Sequence, residues 1–123
     1  MKPIVCIDLD GVILQAETDG ASFGELMPDA WEAINAICRW ARIVVLTARP
    51  PDQHPAIVRY LLAAHGIVVD RVTNVKPAAL FFIDDWAIHF TSWRAVLRQL
   101  DDLTGTEAVQ RRLEHLALLS EAK

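Results

Sequence analysis

The sequence predicts an α/β domain built on a parallel sheet with helices on both faces. Three observations carry this. Short, largely apolar segments at 4–9, 42–47, 67–72 and 80–83 read as strands, and the first two are continuous rather than alternating, as strands buried on both faces are. Between and after them lie segments whose apolar residues recur every three or four positions, the period of an amphipathic helix. Three of the runs end in a carboxylate or a hydroxyl, at Asp8/Asp10, Thr47 and Asp84/Asp85, and the carboxyl ends of parallel strands are where such sheets bind ligands.

Taken in order, the first strand stops at Asp10-Gly11, a turn pair. The stretch 15–28 is polar and punctuated by Gly20, Gly24 and Pro28, so it reads as a loop; at that length it is expected to act as a lid over a site. Asp29 is the expected N-cap of a first helix with Trp31, Ile34, Cys38 and Ala41 on one face. The second strand is closed by Pro50 and Pro51, which cannot continue it. A second helix carries Pro55 in its first turn, an apolar face of Ile57, Val58, Leu61 and Leu62, and Gly66 as its stop. After the third strand Lys76-Pro77 breaks the chain, and the fourth strand ends in Asp84-Asp85. Ser92 caps a third helix with Val96, Leu97, Leu100 and Leu103 on one face. Gly105 separates it from a C-terminal helix at 106–120, whose stripe of Val109, Leu113, Leu116 and Leu119 reads first as a face packed on its own domain and second as a candidate seam for a homodimer.

The composition narrows the class. With 123 residues, 53% of them hydrophobic, the chain 1–123 suits one domain and is incompatible with intrinsic disorder. A net charge of −4 with no cluster of Lys or Arg argues against an extended nucleic-acid surface. No apolar run approaches the ~20 residues that span a bilayer, so no membrane partner is expected. The N-terminal run meets Asp8 and Asp10 at once, which a secretory signal does not tolerate, and the expected location is cytoplasmic. Cys6 and Cys38, at no metal-ligand spacing, read as buried thiols.

The strand ends gather the carboxylates Asp8, Asp10, Asp84 and Asp85. Converging carboxylates raise one another's pKa unless a cation neutralises them. Oxygen ligands with no His or Cys beside them favour Mg²⁺ over zinc, and Mg²⁺ characteristically binds phosphate as well.

The segment Asp8-Leu9-Asp10-Gly11-Val12-Ile13 resembles the first motif, DxDG(T/V), of the haloacid dehalogenase (HAD-like) superfamily of phosphohydrolases. Thr47 after Val44-Val45-Leu46, then Lys76-Pro77, then Asp84-Asp85 follow in the family's order, so the resemblance runs from residue 4 to about residue 93. It is nearest to small members with no inserted cap domain. It implies a Rossmann-like fold and a Mg²⁺-dependent phosphomonoesterase acting through an aspartyl-phosphate. By that resemblance Asp8 is the nucleophile, Asp10 the acid and base for the leaving group and the water, and Thr47 and Lys76 the donors to the phosphoryl oxygens. Mg²⁺ is held by Asp8, the backbone carbonyl of Asp10, and Asp84, while Asp85 ligates through water or orients Lys76. Two positions depart from the pattern: only seven residues separate Lys76 from Asp84, and Trp86 stands where small relatives often carry Arg.

The substrate implied is a small phosphorylated molecule or the phosphorylated end of a larger one. Arg49 has two readings, a fork onto a substrate anion or an exposed loop arginine, and the second is preferred. His54 is expected in the same loop; His65, His89 and His115 at the surface or at helix ends. Trp86 is expected to wall the pocket. The rival readings are a receiver-like phospho-signalling domain and a catalytically silent HAD-fold binding protein. The order of the motifs argues against the receiver, which carries its acidic pair early and its phospho-accepting Asp in mid-chain.

Overall fold

The structure is a computed structural model describing residues 2–17 and 22–121, with side chains to Leu118. Gly20 and the Leu119 side chain lie outside the described residues. Four parallel strands, β1 (Ile4–Asp8), β2 (Arg42–Leu46), β3 (Arg71–Thr73) and β4 (Phe81–Ile83), form one sheet in the order β3-β2-β1-β4. Four helices accompany them: α1 (Ala30–Cys38), α2 (His54–His65), α3 (Trp93–Leu103) and α4 (Glu107–Glu121). The Rossmann-like α/β class is therefore as expected.

The core lies on one face of the sheet. Val5 and Ile7 of β1 stand in register with Ile43 and Val45 of β2, and Ile34 of α1 with Ile57 and Leu61 of α2 pack onto them in one buried cluster. Burying each such side chain contributes roughly 1.5–3 kcal/mol. Gly66 ends α2 in the left-handed conformation, and the buried Ile67 and Val69 lead into β3, which is shorter than the 67–72 run. At the other end of α1 the expected cap is absent: Asp29 is itself left-handed, with φ 64°, and its side chain makes no capping bond.

The opposite face differs from expectation. The connection from β3 to β4 crosses β2 and β1 in the seven residues 74–80, too few for a crossover helix, which takes a dozen or more residues. Lys76 sits on this face with its ammonium 4.6 Å from the centre of the Phe82 ring. Helices joining strands thus cover one face only. The fourth strand forms where expected, but without the helix cover expected on both faces Phe81, Phe82 and Ile83 are 56%, 44% and 40% exposed, because β4 is an edge strand with no helix buried against it.

The predicted lid is tied down at its base. Leu14 and Leu26 form an antiparallel bridge, Gln15 N–H donates to Glu25 O at 2.7 Å, and the Tyr60 hydroxyl donates to Gly24 O at 3.2 Å. A Cβ on Gly24 would run into the Gln15 backbone, so the two arms approach this closely only with glycine there. Cys6 is buried and Cys38 half-buried, both free thiols as expected, and burial with the nearby Asp8 charge pushes the Cys6 thiol up in pKa. On α3 the Ser92 hydroxyl accepts from Ala95 N–H at 3.1 Å, the predicted cap. Gly105, with φ 83°, turns the chain into α4.

Candidate functional site

From β1 the chain moves to β2 and β3 on one side, then returns to β4 on the other. Asp8 and Asp84/Asp85 therefore flank the point where the strand order reverses, the crevice in which open α/β sheets bind ligands. One oxygen from each of Asp8, Asp84 and Asp85 lies within 4.8 Å of the others. Local chemistry sets up this approach. Asp84 Oδ1 accepts from Trp86 N–H at 2.9 Å, which folds the acidic pair back as a turn. Gly11 has φ 92°, and a Cβ at this position would collide with the Asp85 carboxylate. Glycine is needed here for the backbone, and any side chain would have to push the Asp85 carboxylate from its place.

The cluster is electrostatically loaded. Asp8 is pushed from its ordinary 3.8 up to about 7, first by burial and then by the charges of Asp84 and Asp85, with Arg112 opposing and Asp10 adding to the rise. Asp85 is raised too, chiefly by burial and by its hydrogen bond with Asp84, against a backbone N–H that favours its charge. Three hard oxygen donors at this separation, with no thiolate or imidazole among them, suit a small divalent cation.

Asp10 does not place its carboxylate in that cluster. Its oxygens accept from Arg49, Nε to Oδ2 at 3.0 Å and Nη2 to Oδ1 at 2.9 Å, a bidentate pair in which both residues are buried. The preferred reading of Arg49 as an exposed loop arginine is therefore corrected: its side chain is fully buried. The guanidinium runs inward, where a buried charge is tolerated because it is paired with Asp10. Arg49 also donates to Ser22 O at 2.7 Å and lies over the Phe23 ring at 5.0 Å, so it fastens the 22–28 arm to the strand ends. His54 meets the Arg49 carbonyl at 3.0 Å.

Thr47 is buried at the end of β2, and its Oγ1 accepts from Arg49 N–H at 3.1 Å while its own hydroxyl proton stays available for donation. Lys76 is not brought to the carboxylates. The short 74–80 connection holds it over Phe82, and among the described residues it makes no ion pair.

Another cation takes up that position. A cavity of about 320 Å³ opens at the strand ends between Asp10, Asp85 and Trp86 on one side and Ala108, Arg111, Arg112 and His115 of α4 on the other. Arg112 lies over the Trp86 ring at 5.7 Å, so Trp86 walls the cavity as expected. His115, expected at the surface, is buried here instead, and its Nε2 has no hydrogen-bond partner among the described residues. Arg111 is tied to Glu107 at 2.7 Å. Beside the apolar stripe of α4 the sequence carries a signal for this face: 108, 111, 112 and 115 recur at spacings of three and four, placing two arginines and a histidine on one side.

Fold and site together define an α/β chain with an acidic cluster at the switch point of a parallel sheet, beside a cavity lined on one side by the C-terminal helix. No protein-family model matches the chain, and no curated protein matches it. Among solved structures, a conserved protein from Bacteroides thetaiotaomicron is similar, with a TM-score of 0.59 and 18% identity over 88% of this chain and 96% of that one. At that identity the likeness is one of fold. No helix among the described residues is long and apolar enough to cross a membrane.

Proposed function

We propose that the chain is a divalent-cation-dependent phosphohydrolase, HAD-like and without an inserted cap domain, which cleaves phosphomonoesters through an aspartyl-phosphate on Asp8. The observation that carries this reading is the convergence of Asp8, Asp84 and Asp85 within 4.8 Å beside a cavity that also presents an arginine. The raised Asp8 pKa supports a cation there, since a proton stands in for the positive charge the cluster demands. Asp8, Asp84 and Asp85 would hold Mg²⁺, with the Asp10 carbonyl as a further oxygen; when bound it neutralises the cluster and polarises a phosphoryl oxygen.

The chain's own residues supply the remaining steps. An Asp8 oxygen attacks phosphorus, the ester P–O bond breaks, and the leaving oxygen takes a proton. Water then attacks phosphorus, loses a proton, and releases inorganic phosphate with Asp8 restored. Asp10 lines the cavity and would exchange both protons, through a lone pair that its two Arg49 bonds leave open. Thr47 donates its hydroxyl to a phosphoryl oxygen. Arg112 takes the cationic role that the resemblance assigns to Lys76, because it reaches the Asp8 field and Lys76 does not pair there.

The cavity suits a small phosphorylated molecule or the phosphorylated end of a larger one, and a cytoplasmic location fits that substrate class. The test is phosphate release with and without Mg²⁺ across nucleotides, sugar phosphates, phosphoamino acids and phosphorylated nucleic-acid ends. Release that depends on Mg²⁺ and is lost in Asp8→Asn is expected. Equal release by that variant rejects Asp8 as nucleophile, and no release from any class rejects the enzyme in favour of a binding protein.

A further inference from the structure

We propose that α3 is the seam of a homodimer: the apolar faces of two copies of α3 pack antiparallel about a twofold axis, with Arg94 of each opposite Asp101 of the other. Among the described residues nothing buries the apolar face of this helix. Trp93, Leu97, Leu100 and Leu103 share one face with Val96, yet they are 72%, 60%, 44% and 40% exposed, and α3 buries none of its residues. At 11 residues it is shorter than the roughly 12–15 at which even good isolated helices become stable in water, so an apolar surface must hold it.

The charges on α3 say which surface. Arg94 stands in its first turn and Asp101 and Asp102 in its last, the reverse of the arrangement the helix dipole favours. Neither Arg94 nor Asp101 has an ion-pair partner among the described residues. They are seven residues apart, one heptad, and so lie on the same flank of the apolar stripe. Packing against an identical helix running the opposite way brings each arginine to the partner's aspartate twice by symmetry, and it also opposes the two macrodipoles. A parallel pairing would turn these two flanks to opposite sides of the seam, so that Arg94 would not meet Asp101 at all. A charge order that is unfavourable within one helix becomes complementary between two.

The size of the patch is adequate. With Phe90, whose ring stacks edge-on against Trp93 at 5.3 Å, the exposed side chains present on the order of 500 Å² of apolar surface per copy, taking about 150–250 Å² for a whole aromatic. With a polar rim this approaches the ~800 Å² per partner of a stable interface. The seam on α4 is less suited, since that helix turns one face to the cavity and spends Arg111 on its own Glu107.

The test is sedimentation of the full chain and its charge variants, with circular dichroism to check that each is folded. The wild type is expected to be dimeric at high micromolar concentration. Arg94→Asp and Asp101→Arg, both at exposed positions, should each weaken self-association by roughly tenfold or more, since each sets like charges across the seam twice. Carrying both reversals in one chain should restore the dimer, and mixing the two single variants should give a heterodimer. A monomeric wild type overturns the proposal, as does a dimer that neither reversal weakens or that a single reversal tightens.

Discussion

Two regions of the molecule carry strands of similar hydrophobicity and treat them oppositely. Val5, Cys6 and Ile7 of β1 are buried, whereas Phe81, Phe82 and Ile83 of β4, paired to them residue by residue, are exposed. The difference lies in their neighbours. β1 has a strand on either side and α1 and α2 packed over one face; β4 has one strand, and the helix that follows it buries nothing. Apolar sequence marks the wish for burial, while the satisfaction of that wish depends on what the chain has left to cover it. In this chain the seven-residue return to β4 leaves nothing, and α3, which follows β4 without covering it, is where a second copy is proposed to dock.

Substitutions can break or sharpen this contrast. The largest effect is expected at Arg49 in the packed region. Arg49→Ala strands the Asp10 carboxylate in the interior and should cost about 3–5 kcal/mol. Arg42→Ala, which removes a half-exposed partner of Asp70, should cost about 1 kcal/mol or less. Urea unfolding of both variants decides it, and comparable losses would mean that burial does not govern these pairs. Next comes a pair of leucines. Leu61→Ala opens a cavity under α2 and should destabilise by roughly 2–5 kcal/mol, while Leu80→Ala at the entrance to β4 should stay within about 1 kcal/mol. If Leu80→Ala proves as costly, the β4 region is packed in solution and the contrast dissolves.

The smallest effect is a pH dependence where the two regions meet. Folded Asp8 titrates at about 7 rather than 3.8, so between those values the folded chain holds a proton that the unfolded chain lacks. Stability of the cation-free protein is therefore greatest below that window, falls as pH rises through it, and levels off above. Asp8→Asn should flatten this slope, and Mg²⁺ should lift the wild type at the alkaline end. Thermal melts in chelator from about pH 5 to about pH 8 test it, and a wild-type profile rising over that range would show that Asp84 and Asp85 do not crowd Asp8.

Much of this was legible from one dimension. Gly66 as a helix stop, Ser92 as a cap and Asp8, Thr47 and Asp84 at strand ends all follow from local backbone chemistry and period, and each stands where expected. Asp29 does not cap as its residue type predicts, because a side chain competent to cap is not obliged to do so once the backbone turns left-handed at that residue. Trp31 and Leu62, placed on apolar helix faces by their spacing, prove exposed at the margin of the core.

What the sequence determined by itself is the set of elements and the meeting of acidic groups at the carboxyl edge of the sheet. These depend on interactions a few residues long and on the direction parallel strands impose. What only the tertiary structure decided is which charge meets which. Arg49 reaches Asp10 across 39 positions of sequence, Arg112 comes over Trp86 from the C-terminal helix, and Lys76 stays behind on the far face. Pairings of that kind are fixed by the lengths of the connections between elements, which set where each helix and loop can land, and no period within an element records them.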